Sequence, residues 1–324
     1  MNEQERLKQK TIGLSFSGGG AKSFAEVAIL EELERKNLNI SSVTGTSMGA
    51  FIAAGVAYGL SIEEIKDLII ATDSALAESE IFKKRQMVTN FLVLNYSNGF
   101  VPVDKIKEVV VDIHPLFRDV MLSELEMPIA IPAADLISGK LVVFSNQPNQ
   151  FIDDDDKIVY FHKDISVIDA CLASSSYPFV IQPMMVEQYQ LVDGGLLLNS
   201  PANLFKRAPE GQIEYVISVG LEAKKYIQPA MRTNDVINRS LSLMRSQQVD
   251  LSIALADIHY GFPVGSASTF VFGHAERTIE SASEHLKDNP LTLVNVYHRE
   301  TRQSRAIDRL NENKTFQKVK NFFK

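Results

Sequence analysis

Ser47 stands in Gly45-Thr46-Ser47-Met48-Gly49, a G-x-S-x-G spacing. Between a strand and a helix, such a segment forms a sharp turn that lifts the serine hydroxyl clear of the sheet, and the flanking glycines let the backbone pass close by. The helix that follows aims the partial positive charge of its N-terminus at the serine, which suits an anionic intermediate. The chemistry this allows is nucleophilic attack on an ester carbonyl. Alone, five such residues also describe an ordinary tight turn. Here a strand expected at 40–44 and a helical pattern at 48–58 flank them, the context that the motif requires.

A second segment, Ser17-Gly18-Gly19-Gly20-Ala21-Lys22, places three glycines before a helical pattern. Their N–H groups, with no Cβ in the way, can form a nest for an oxyanion or a phosphate. A Walker loop needs glycine directly before its Lys-Ser pair, but Ala21 stands there and Phe16 holds the place of the first glycine. A dinucleotide fingerprint would use Gly18, Gly20 and Ser23, yet the acidic residue expected about 20 positions on is replaced by Ser41-Ser42. An oxyanion hole fits better, because a serine elbow follows in the next strand–helix unit. One donor in such a hole is typically worth about 3–4 kcal/mol of barrier. The third segment is Asp193-Gly194-Gly195. Alone it is an ordinary D-G turn; beside the other two it becomes a candidate general base.

These residues must be held by regular elements. Residues 12–16 predict a strand, 17–20 a loop, and from Ala21 a helix with Phe24, Val27, Ala28, Leu30 and Leu33 inward, stopping at Asn37. Residues 40–44 predict a strand, 45–47 a turn, and 48–58 a helix closed by Gly59. That alternation implies a mainly parallel sheet with covering helices. Residues 61–125 read as helical with a turn at Ser97-Asn98-Gly99. Strands follow at 129–134 and 140–145, joined at Ser138-Gly139, then a helix at 167–174 and strands at 190–192 and 214–219. A long amphipathic helix is expected over 234–258. No internal repeat and no Pro- or Gly-rich linker divides the chain.

The 324 residues, with 45% apolar and 23% charged, describe a globular chain with a full core. A net charge of -7 argues against nucleic acid as a partner. The single cysteine, Cys171, excludes an intrachain disulfide and a cysteine-based zinc site and points to a reducing cytoplasm. Residues 1–11 carry no secretory signal pattern. Residues 37–62 lack charge, but six Ser, Thr and Gly between 41 and 47 break them, so a buried strand–turn–helix is expected rather than a membrane span.

The three segments, in this order, resemble the bacterial patatin-like phospholipase family, with its G-G-G-x-[KR]-G loop, G-x-S-x-G elbow and D-G-[GA] turn. Ala134-Asp135-Leu136 with Gly139, Ala173-Ser174-Ser175 with Tyr177-Pro178, and Asn199 with Pro201 match it as well. Ser23 departs from the family's usual glycine, with altered packing expected, and Glu26 stands where many members have histidine. The resemblance covers about 11–288. It implies a three-layer α/β/α fold with a mainly parallel central sheet, and leaves 289–324 as a basic, helical C-terminal extension. It implies a serine acyl hydrolase acting on fatty acyl esters of phospholipids or related lipids, with no cofactor or metal. Ser47 would be the nucleophile and Asp193 its base, without histidine; Gly18, Gly19 and Gly20 would hold the oxyanion, and Lys22 could meet a lipid head group. Desolvation is expected to strengthen Asp193 as a base.

Alternatives stay open. A Ser-Asp-His triad would recruit His259, His274, His285 or His298, none of which has a motif around it, nor do His114 and His162. A non-catalytic or regulatory lipid-binding protein could use the same scaffold. Asp153 to Asp156 lack the spacing of a calcium loop and read as a solvated acidic turn, and Cys171 reads as core. Residues 74–100, with Phe82, Met87, Phe91, Leu92 and Leu94, read as buried core or as a mobile lid. Residues 299–324 carry eight Lys/Arg against three Asp/Glu, with Phe316, Val319, Phe322 and Phe323 at helical spacing. That pattern suits either a helix packed on the body or a peripheral membrane anchor.

Overall fold

The structure is a computed structural model that describes residues 9–82, 99–222, 252–263 and 269–293, with scattered positions between 229 and 249. A nine-stranded sheet carries the molecule. Its strands are β1 (Ile12–Phe16), β2 (Ile40–Gly45), β3 (Ile129–Asp135), β4 (Leu141–Ser145), β5 (Ile158–Tyr160), β6 (Met184–Val186), β7 (Tyr189–Asp193), β8 (Tyr215–Leu221) and β9 (Ile258–Phe262). The order is β5-β4-β3-β2-β1-β8-β9, with β7 also paired to β3 and β6 to β7. The pairs β1/β2, β1/β8, β2/β3, β4/β5 and β8/β9 are parallel; β3/β4, β3/β7 and β6/β7 are antiparallel. The expected mostly parallel central sheet with flanking helices is what the chain forms.

Every residue of β1 is buried, as befits a central strand covered on both faces. One face packs against α1 (Ala28–Arg35), α2 (Met48–Tyr58), α3 (Ile62–Glu78), α4 (Val103–Val110), α5 (Pro115–Arg118), α6 (Val167–Ser175) and α7 (Ala275–Asp288) in one large core. The other face holds a smaller cluster that includes Val143, Phe151, Leu204, Phe205 and Val216.

Helix α2 has the expected bounds. Its interior is too apolar for an exposed face, and Gly59 ends it at φ +84°. The helix expected from Ala21 instead starts as a 3-10 helix over Gly20–Val27 and becomes α1 only at Ala28. Phe24, Val27, Ala28, Leu30 and Leu33 are all buried as expected. Periodicity placed the buried face but does not separate a spacing of three from one of 3.6 over a single turn.

The helix expected over 234–258 is corrected at its end. Ser252 and Ile253 are helical, a turn follows, and Ile258 opens β9, paired in parallel with β8 from Ile217 to Leu221. Asp257 sets that start: its carboxylate accepts the Val216 N–H at 2.7 Å and pairs with Arg207. Residues 83–98 of the stretch read as buried core or lid, and all of 299–324, lie outside the described residues.

Candidate active site

The sheet register assembles the site. Phe16, the last residue of β1, lies beside Gly45 of β2 and Val219 of β8. Ser17 and Thr46 therefore open neighbouring loops at the carboxyl ends of parallel strands, where open α/β sheets form their ligand crevices. Strand β7 arrives there from the opposite direction, with Asp193 paired to Ala133 of β3.

Ser47 sits between β2 and α2 with φ 54° and ψ -127°. A left-handed φ on a residue with a Cβ costs about 1–3 kcal/mol and persists only where neighbours enforce it. The Ser47 N–H donates to Ser174 Oγ at 2.9 Å, and Ser174 Oγ donates to the Pro132 carbonyl at 2.6 Å. A Cβ on Gly45 would collide with the Gly49 carbonyl, and one on Gly49 would come within 2.6 Å of the Ser17 carbonyl. Both glycines of the elbow are thus required by close backbone approach.

Ser47 Oγ donates to Asp193 Oδ2 at 2.7 Å. The two residues are 7% and 5% exposed. Asp193 Oδ1 accepts the Gly195 N–H at 2.7 Å, so the D-G turn itself orients the carboxylate. The segment after that turn ties the loops together. The Leu198 carbonyl accepts from Thr46 Oγ1 at 2.9 Å and the Pro201 carbonyl from Thr44 Oγ1 at 3.2 Å. Asn199 pairs with Gly18 in both directions: Gly18 N–H donates to the Asn199 carbonyl at 3.0 Å, and Asn199 Nδ2 donates to the Gly18 carbonyl at 3.1 Å.

That pairing narrows the oxyanion expectation. Gly18, Gly19 and Gly20 all line the cavity beside Ser47, but the N–H of Gly18 is committed to Asn199. No hydrogen bond among the described residues takes up the N–H of Gly19 or Gly20. The next amide, Ala21 N–H, donates to the Thr269 carbonyl at 3.0 Å. Lys22 is partly buried and is not among the lining residues.

Away from this polar corner the cavity wall is apolar, with Phe51, Leu76, Val103, Ile106 and Leu172 in it. Phe82, from the stretch read as buried core or lid, also lines it and packs against Phe270 and Phe272 at 5.9 and 5.0 Å between ring centroids. Among the described residues Asp193 is the one carboxylate in the lining, and no histidine is there. His259 meets Ser218 Oγ at 3.1 Å, His114 caps α5 by accepting the Leu116 N–H, and His285 packs on Tyr260; His298 lies outside the described residues. Asp153 pairs with Lys206, and Asp155 accepts two backbone N–H bonds in a turn. Among the described residues no group of three or more His, Cys, Asp or Glu gathers as a metal site would need. Cys171 is fully buried, and burial pushes its thiol up, out of reach of the thiolate form.

Ser174 and Asn199 were visible only as matching letters; their roles as struts for Ser47 and Gly18 appear in three dimensions. For Ser174 the available signal was a hydroxyl directly after the apolar run at 170–173 of α6. Glu26, a departure in sequence, is fully buried beneath the glycine loop. Desolvation raises its carboxyl well above the ordinary 4.5, and bonds from Ser17 and Ser23 only partly oppose that. A carboxyl raised in the folded state contributes stability below about 4.5 that is lost as pH rises through its folded value. Glu26→Gln removes this loss. The stability gap between Gln and Glu variants is expected to widen from pH 5 to pH 8 in urea unfolding; a constant gap would show that Glu26 titrates normally.

The family model for patatin-like phospholipase matches residues 14–206. A cGAMP-activated phospholipase of Vibrio cholerae is 29% identical over 220 residues, 62% of this chain and 58% of that protein. An uncharacterized NTE family protein of Mycobacterium tuberculosis is 27% identical over 208 residues, 64% of this chain and 30% of that protein. The chain therefore spans less than two thirds of the length of these relatives. Among solved structures, VipD from Legionella pneumophila aligns with a TM-score of 0.45 at 15% identity, covering 87% of this chain and 66% of that one. Since the matched residues are more than half of the chain and contain the glycine loop, the serine elbow and the aspartate turn, this chain belongs to the patatin-like phospholipase family.

Proposed function

We propose that the chain is a serine acyl hydrolase that cleaves fatty acyl esters of phospholipids or related lipids. Ser47 Oγ attacks the ester carbonyl carbon while Asp193 takes its proton. The negative oxygen of the tetrahedral intermediate rests on the N–H groups of Gly19 and Gly20, framed by Gly18 and by the N-terminus of α2. The carbon–oxygen bond to the alcohol breaks, Asp193 returns the proton to the departing alcohol, and an acyl ester remains on Ser47. Water, deprotonated by Asp193, attacks the acyl carbon; the bond to Ser47 Oγ breaks, Asp193 returns the proton to Oγ, and the fatty acid leaves.

The observation that carries this reading is the 2.7 Å Ser47–Asp193 hydrogen bond at the polar corner of an apolar cavity. The apolar wall suits an acyl chain, and relatives named as phospholipases support a lipid ester as substrate. Such an ester lies at a bilayer surface, so the reading includes peripheral contact with a membrane. No helix among the described residues is long and apolar enough to cross one.

A fluorophosphonate probe tests the reading, because it forms a covalent tetrahedral adduct only with an activated serine. The expected result is a single adduct on Ser47 by peptide mass, absent from Ser47→Ala. A protein that binds lipid vesicles but takes up no label at Ser47 would be the non-catalytic lipid-binding form of this scaffold.

A further inference from the structure

The glycine loop is held from below by a group that does not line the cavity. Glu26, on the 3-10 helix Gly20–Val27, accepts the Ser17 N–H on Oε2 at 2.8 Å and the Ser17 hydroxyl on Oε1 at 2.7 Å. Ser23 Oγ donates to the Ser17 carbonyl at 3.3 Å. All the polar groups of Ser17 are therefore taken up by side chains of one 3-10 helix, and Ser17, Ser23 and Glu26 are buried. Ser17 directly precedes Gly18. With Gly18 tied to Asn199 and Ala21 tied to Thr269, the ribbon carrying the Gly19 and Gly20 amides is fixed at both ends.

Ionisable side chains are rarely fully buried without a charged partner, and the hydrogen-bond partners of Glu26 are neutral hydroxyls and an amide. Three successive glycines have the widest backbone freedom of any sequence, so their amides keep one direction only if the flanks are held. A hole built of backbone amides stabilises an oxyanion only where they already point at it.

We infer that Glu26 is a positioning residue for the reaction: by gripping Ser17 it aims the Gly19 and Gly20 N–H groups at the oxyanion, and so acts on turnover rather than on lipid binding. This rests on the acyl hydrolase reading above. Burial favours the protonated carboxyl. In that form one oxygen still accepts the Ser17 amide and the other shares a proton with the Ser17 hydroxyl. Glutamine can reproduce both bonds, its oxygen facing the amide and its nitrogen donating to the hydroxyl.

The test measures kcat and KM on a micellar fatty acyl ester, and the rate of fluorophosphonate labelling, for the wild type, Glu26→Ala and Glu26→Gln. In Glu26→Ala, kcat and labelling rate are expected to fall about 10- to 100-fold, the scale of a misplacement of about 1 Å, with KM within about threefold. Glu26→Gln is expected to recover both rates to within about threefold of the wild type. A folded Glu26→Ala that turns over like the wild type, or that loses in KM what kcat keeps, overturns the inference. So does a Glu26→Gln as slow as Glu26→Ala, which would assign the role to charge. If Glu26→Ala does not fold, Ser17→Ala removes one arm of the grip, and an unchanged kcat there overturns it equally. Failure of the wild type to label at Ser47 overturns the acyl hydrolase reading itself, whereas equal labelling of wild type and Glu26→Ala overturns only the positioning role.

Discussion

Ser47→Ala is expected to lower ester hydrolysis by at least about 10⁴-fold, leaving a folded protein. Removal of the nucleophilic serine of a serine hydrolase costs about 10⁶ in kcat, and the remaining oxyanion hole and binding cavity give only slow background turnover. The fold should survive because alanine keeps the Cβ and the backbone bond to Ser174. The strain at φ 54° is carried equally by serine and alanine. What is lost is the bond to Asp193, about 1.5–3 kcal/mol for a hydrogen bond to a charged group. The Gly195 N–H still donates to that carboxylate. Ser47→Gly should be at least as inactive and the more stable of the two, because glycine occupies positive φ without strain. Hydrolysis of a chromogenic acyl ester and of phospholipid vesicles, with circular dichroism on the same samples, checks this. Activity within tenfold of the wild type would mean that another group does the chemistry.

How much of this arrangement could be read from the chain depends on how far apart the interacting residues lie. The elbow was fully legible because its requirements are local. Gly45, Ser47, Gly49 and Gly59 lie within fifteen positions, and each is demanded by a turn, a close approach or a helix end. The contact of Ser47 with Asp193 spans 146 positions. It depends on β7 running antiparallel to β3 inside a mostly parallel sheet, which no local pattern encodes. Order and residue type marked Asp193 as a candidate; only the pairing of Asp193 with Ala133 turns it toward the elbow.

The glycine loop was legible as a nest and not as a set of free donors. Occupation of the Gly18 amide by Asn199 is a contact across 181 positions. The misread start of β9 has the same origin. A helical pattern ran smoothly into Ile258, and what stops it is the long-range bond from Val216 to Asp257 and the vacant edge of β8. Short strands such as β5 and β6, three residues each, carry too few alternations to register against a background of loops.

Asp193→Asn separates the base from the shape of the site. Asparagine is nearly isosteric and can still accept the Gly195 N–H, so the turn and the cavity should persist. What disappears is the proton acceptor 2.7 Å from the serine hydroxyl. General-base catalysis contributes about 10² to 10⁴ in rate, and kcat is expected to fall by that factor. KM should stay within about threefold, because the apolar wall that holds the acyl chain is untouched. The rate of fluorophosphonate labelling should fall in parallel, since it needs the same deprotonation, while the site of labelling stays at Ser47. Two outcomes would remove Asp193 from this role. One is a variant labelled at the wild-type rate. The other is a complete loss of labelling on replacing one histidine, with Asp193→Asn still active, which would hand the proton to a group that the described part of the cavity lining does not contain.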